Sequence, residues 1–94
     1  MTESSRAERT VTVTMPHGLH MVPCSEIAKY VRDFSGEVRI RRDDVSADAH
    51  SVFDLLQLQA EQGSLLVLEA SGEGAESIVD GLARLFEAEF HVER

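Results

Sequence analysis

The chain has 94 residues, the size of one domain, and 43% of them are apolar, which suits a folded protein rather than a disordered one. Nine basic side chains face 17 acidic ones, and the resulting charge of −8 argues against nucleic acid and anionic membranes, both of which need a basic face. A single cysteine excludes an internal disulfide framework and a Cys-rich zinc module. No apolar run approaches the roughly 20 residues of a membrane span, and the polar opening lacks the apolar segment of a secretory signal, so a cytoplasmic single domain is expected.

Residues 1–9 read as a frayed polar tail, with one domain over 10–94. Val11, Val13 and Met15 alternate with Thr10, Thr12 and Thr14, a strand with one buried face. Pro16-His17-Gly18 breaks it. Cys24, Ile27, Ala28, Val31 and Phe34 then recur at helical spacing, with Pro23 tolerated in the first turn because its missing N–H has no intrahelical partner. A start at about Met21 makes His20 the N-cap, and Ser35-Gly36 ends the helix. Residues 37–49 read as a hairpin about Asp43-Asp44. Ser51 and Asp54 have the spacing of a capping box, opening a short helix with Val52, Leu55, Leu56 and Gln59 on or near one face. Ser64 to Ala70 is a nearly continuous apolar run, expected as a central strand. Ala75, Ile78, Val79, Leu82, Leu85 and Phe86 mark a longer amphipathic helix that turns Glu87, Glu89 and Arg94 to solvent. The order β-α-β-β-α-β-α suggests an α+β fold, one antiparallel or mixed sheet with helices packed on one face.

Gly18-Leu19-His20 lies between a strand and a helix start. The amides of Met21 and Val22 have no carbonyl partner there and carry the positive end of the helix dipole, so a phosphate is stabilised at that point. Gly18 allows close approach of the turn. An imidazole at the same spot can act as a nucleophile. Spacing alone favours a plain surface cap for His20. His17, His20 and Cys24 would form a legitimate transition-metal set if they converged, but Cys24 follows the apolar phase of its helix and reads as a core residue, so no metal is assigned. No cofactor is expected. With no second general acid or base and no nucleotide-type glycine loop, an independent enzyme is not expected.

The run Met15-Pro-His-Gly-Leu-His-Met-Val-Pro-Cys24 resembles the active-site segment of HPr, the histidine phosphocarrier of the bacterial phosphotransferase system, whose motif is of the type Gly-Leu-His-x-Arg-Pro-Ala. Phe34, the segment Ala49-His-Ser51-Val-Phe53, Gln62-Gly63 and Ser71-Gly-Glu-Gly also resemble the family, across about residues 10–90. The resemblance implies an open-faced β-sandwich, with a four-stranded antiparallel sheet and three helices on one face. It implies a monomeric carrier in sugar transport. His20 would accept a phosphoryl group on Nδ1 from Enzyme I and pass it to a sugar-specific Enzyme IIA. Met21, Val22 and Gly18 would hold the phosphate, and Met21, Val52, Phe53 and Lys29 would meet partners. Ser51 stands where many members are phosphorylated by HPr kinase/phosphorylase, a charge that would sit at a helix N-terminus.

The chain departs from the family at several points. Val22 occupies the place of the motif's arginine, which removes a charge-assisted contact worth on the order of 1.5–3 kcal/mol. His17 stands where Asn is common, and protonated it would return part of that charge. Cys24 stands where Ala is usual. His50 and Asp54 stand where lysines often occur, while Lys29 and Arg32 keep some basic character on the first helix. These changes leave open a second reading, a regulatory binding module with an impaired relay, controlled at Ser51.

Overall fold

Strand β1 runs over Arg6–Thr12, which corrects both the frayed tail and the strand expected to start at Thr10. The computed structural model describes residues 5–91, and Met1 to Ser4 lie outside them. β1 escapes a simple alternation because it is an edge strand whose charged side chains find partners. Arg9 Nη1 lies 2.7 Å from Asp80 Oδ1, and Glu8 Oε2 lies 3.7 Å from Arg41 Nη2. Strand pairing ends at Thr12, yet Val13 and Met15 remain buried as the alternation required.

Helix α1, Met21–Val31, starts where expected and buries Pro23, Cys24, Ile27 and Val31. It stops at Val31, three residues before Phe34. The Phe34 amide donates to the Val31 carbonyl at 2.9 Å, which tightens the exit. The Phe34 ring then lies so close to Gly36 that an added Cβ there would meet it at 2.8 Å. Phe34 is therefore a post-helix lid on a glycine contact rather than the last rung of the helix.

Strands β2, Glu37–Arg42, and β3, Val45–Asp48, form the expected hairpin, with Asp43 in the left-handed region at φ 54°. Aspartate tolerates that conformation better than most side chains. Helix α2, Val52–Leu56, is a single short turn and a half. Only half of the expected capping box forms. Ser51 Oγ accepts from the Asp54 amide at 3.2 Å, but the Asp54 carboxylate turns to the Asp48 amide at 3.4 Å, because the Ser51 amide is already donated to the Asp48 carbonyl. Gln59 falls outside α2, in a left-handed conformation.

Strand β4, Leu65–Ser71, is central as expected, paired on one side with β1 and on the other with β2. The sheet is fully antiparallel in the order β1-β4-β2-β3. Leu66, Leu68 and Ala70 face the core while Leu65 is exposed, so this strand buries one face rather than two. Helix α3, Ala75–Glu87, ends short of the expected terminus. Glu89 and Phe90 both adopt positive φ and fold the chain back, so that Phe90 packs edge-on against Phe86 at a centroid distance of 4.9 Å. Arg94 lies outside the described residues.

The result is an open-faced α+β sandwich. All three helices cover one face of the sheet, over a core that includes Ile27, Val38, Ile40, Leu55, Leu68, Leu82 and Phe86. On the other face Arg41 bridges Glu8 and Glu69, and Arg39 lies 3.6 Å from Glu37. No helix among the described residues is long and apolar enough to cross a membrane. Phe86 is 1% exposed and anchors α3 to the sheet and to Phe90. Phe86→Ala is therefore expected to lower the unfolding free energy by about 3–5 kcal/mol, read from the urea midpoint.

Candidate functional site

The loop from Val13 to His20 is held against the segment that joins α2 to β4. Val13 donates to the Ser64 carbonyl at 2.9 Å and accepts from Gly63 at 2.7 Å, and Gln62 Nε2 reaches the Thr14 carbonyl at 3.0 Å. Gly18 donates to the Met15 carbonyl at 3.0 Å and takes φ +68°. An added Cβ at Gly18 would stand 2.5 Å from the Ala60 carbonyl oxygen, so only glycine lets the two backbones close. The next amide, Leu19, donates to that same oxygen at 2.9 Å, and the Leu19 side chain is buried. With Leu19 anchored inward, His20 comes out onto the surface.

His20 is the N-cap of α1 with an extended backbone, φ −88° and ψ −166°. Its carbonyl accepts the first intrahelical bond, from the Cys24 amide at 3.1 Å. Its imidazole makes no capping hydrogen bond and is exposed. The Met21 and Val22 amides precede that first bond, so the helix offers them no acceptor. They stand at the positive end of an 11-residue helix dipole, and α1 has no acidic residue in its first turn to oppose an anion. Neutral imidazole at this spot has a free nitrogen, and an anion on that nitrogen meets donors.

His17 is exposed beside it, with ring centroids 6.0 Å apart and ring planes at 87°. Cys24 does not join them. It is fully buried, its Sγ lies 3.4 Å from the Leu19 carbonyl, and burial pushes its thiol from 9.0 up to about 11. Among the described residues no three His, Cys, Asp or Glu side chains gather into a metal-holding group.

The expected partner-facing residues divide. Phe53 in α2 is 78% exposed, and Met21 is 56% exposed, so both present apolar surface. Val52 is half-buried and packs against the core instead. Lys29 is exposed in the last turn of α1, away from the His20 end. Val22, valued in the sequence for its amide, also exposes 59% of its surface and adds to the apolar rim. Ser51 is half-buried, with its hydroxyl engaged as the α2 cap. An open groove of about 1040 Å³ lined by Arg6, Gly36, Glu37, His50, Gly72 and Glu73 includes neither His20 nor its neighbours.

Residues 7–88 match the family model described as the PTS HPr component phosphorylation site. The chain belongs to the HPr family. It is 34% identical over 76 residues to the phosphocarrier protein HPr of Buchnera aphidicola subsp. Acyrthosiphon pisum, covering 81% of this chain and 89% of that one. It is 35% identical over 83 residues to the phosphocarrier protein NPr of Proteus mirabilis, covering 87% and 92%. The crystal structure of HPr-C-His from Thermoanaerobacter tengcongensis superposes with a TM-score of 0.86 at 26% identity, covering 94% of this chain and 99% of that one. The family is thus a phosphocarrier family with both HPr and NPr branches among the relatives.

The residue that sequence reasoning missed is Ala60, whose carbonyl seats Gly18 and Leu19. It lies 42 positions from Gly18, in an irregular stretch, and no local pattern marks it. Gly18→Ala should disturb this seat through both strain and contact, lowering stability by at least about 1–3 kcal/mol and broadening the His20 ring resonances in a proton NMR spectrum.

Proposed function

We propose that this HPr-family protein carries a phosphoryl group on His20, taken from the phosphohistidine of Enzyme I and handed to a sugar-specific Enzyme IIA. The observation that carries this reading is the exposed, uncapped imidazole of His20 at the head of α1 beside amides with no helical acceptor. In each transfer the imidazole nitrogen attacks phosphorus in line with the leaving nitrogen. One P–N bond forms as the other breaks, so the step needs positioning and charge stabilisation more than added chemistry. Both P–N bonds are of one kind, and the exchange runs either way. Pro23 in the first turn fixes where the helix starts, and Gly18 fixes how far the loop sinks, so the acceptor nitrogen is held on a rigid end. The apolar rim of Met21, Val22 and Phe53 supplies docking area, and Lys29 adds a charge for acidic partner faces.

A second reading is favoured by Val22. Its exposed apolar side chain stands where the motif has arginine, so the helix start lacks a fixed cation. On that reading the protein is a regulatory binding module with a weakened relay, controlled by a kinase at Ser51. Phosphorylation would place a dianion at the start of α2, where the Ser51 Oγ now accepts from the Asp54 amide, and near the carboxylates of Asp48 and Asp54.

Incubation with Enzyme I and phosphoenolpyruvate should add about 80 Da to the protein and none to His20→Ala, as read by intact mass. An adduct that persists in His20→Ala would overturn the assignment. Val22→Arg should raise the rate of transfer to an Enzyme IIA by less than about tenfold if the native relay is competent, whereas a larger gain favours the regulatory reading.

A further inference from the structure

We propose that protonated His17 supplies the cation for the phosphoryl group on His20, which makes phosphoryl uptake by this chain dependent on the charge of its neighbouring histidine. The inference rests on His20 being the acceptor and deepens that reading.

The helix start has donors but no fixed positive side chain. From Met21 to Ser25 α1 has no lysine or arginine, and Lys29 lies about 13 Å along the axis from His20. A phosphoryl dianion there gains only partial charges from the helix end. His17 is the titratable side chain placed beside it. The two rings stand edge to face with centroids 6.0 Å apart, both exposed.

The backbone holds this pairing. His17 sits between Met15, whose carbonyl accepts from Gly18, and Gly18, which is wedged under Ala60. It is therefore separated from His20 by two residues that cannot move independently. The other charged and titratable groups on the surrounding elements do not replace it. Asp54 of α2 is turned to the Asp48 amide, and Arg42 of β2 donates to the Leu58 carbonyl at 3.1 Å. Glu61, beside Ala60, and Glu26 of α1 are acidic and supply no cation.

The step balances without a further reactant. A neutral His20 nitrogen forms the new P–N bond, and the donor's P–N bond breaks. Its electron pair leaves on the donor nitrogen, which takes up the proton that the His20 ring gives up. His17 keeps its proton throughout and donates a hydrogen bond to a phosphoryl oxygen. Imidazolium does this and neutral imidazole does it less well, because charge-assisted bonds are roughly twice as strong.

The test uses phosphoramidate as the donor, so that no protein partner is involved. Phosphorylation rates of the native protein and of His17→Gln are measured by intact mass from about pH 5 to about pH 8, where histidine changes charge. Glutamine keeps a neutral hydrogen-bond donor and is carried on an exposed loop position. The ratio of native to variant rate removes the donor's own pH dependence. It should be about tenfold at the acidic end and fall toward one at the alkaline end. His17→Lys should restore the rate and hold it at the alkaline end, where the native advantage has gone. A ratio that stays flat with pH overturns the role of His17 while leaving His20 as acceptor. Absence of any adduct on His20 in the native protein overturns the acceptor reading, and this inference with it.

Discussion

One carbonyl oxygen governs the exposed end of this molecule. Ala60 receives the Leu19 amide and leaves no room for a side chain at Gly18, so the loop after β1 is clamped at two consecutive residues. The burial of Leu19 follows from that clamp, and the next residue, His20, comes out to the surface at the N-cap. The start of α1, the direction of its dipole and the spacing of His17 from His20 follow in turn. The placement of His20 is thus set by a backbone carbonyl 40 positions away in the chain.

A carrier must give up what it binds, and the architecture matches this need. His20 sits exposed on a helix end, outside the open groove lined by Arg6, Gly36 and Glu37. Met21 and Val22 follow the histidine with exposed apolar side chains, and α2, packed on α1, exposes Phe53. Such surface gains most when a partner covers it. The acidic balance bears on which partner does the covering. On the open sheet face Arg39 is paired with Glu37, and Arg41 with Glu8 and Glu69, so these two charges are engaged within the chain.

Much of the fold was legible because its helices and inner strands obey single periodicities. The starts of α1 and α2, the hairpin and the central position of β4 all follow from spacing, caps and turn chemistry. The ends were less legible. α1 gives way before Phe34 because a ring is needed over Gly36, and α3 gives way at Glu87 because Phe90 must return to Phe86. Both are tertiary demands that a periodic pattern does not carry. β1 hid its first residues for a different reason. On an edge strand Arg6, Glu8 and Arg9 are at ease, and their charges read as a tail. At the site, His20, Gly18 and Phe53 stood out in sequence, whereas Ala60 and the apolar exposure of Val22 required the folded backbone.

Cys24 brings an experimental consequence. Its sulfur is sealed in the core beneath the very helix that presents His20, and burial keeps the thiol protonated at neutral pH. The native chain is therefore silent toward alkylating reagents while folded. A cysteine placed at any exposed position would be its sole labelling site, so a dye or spin probe could follow the encounter of this helix end with each partner without first removing the native thiol.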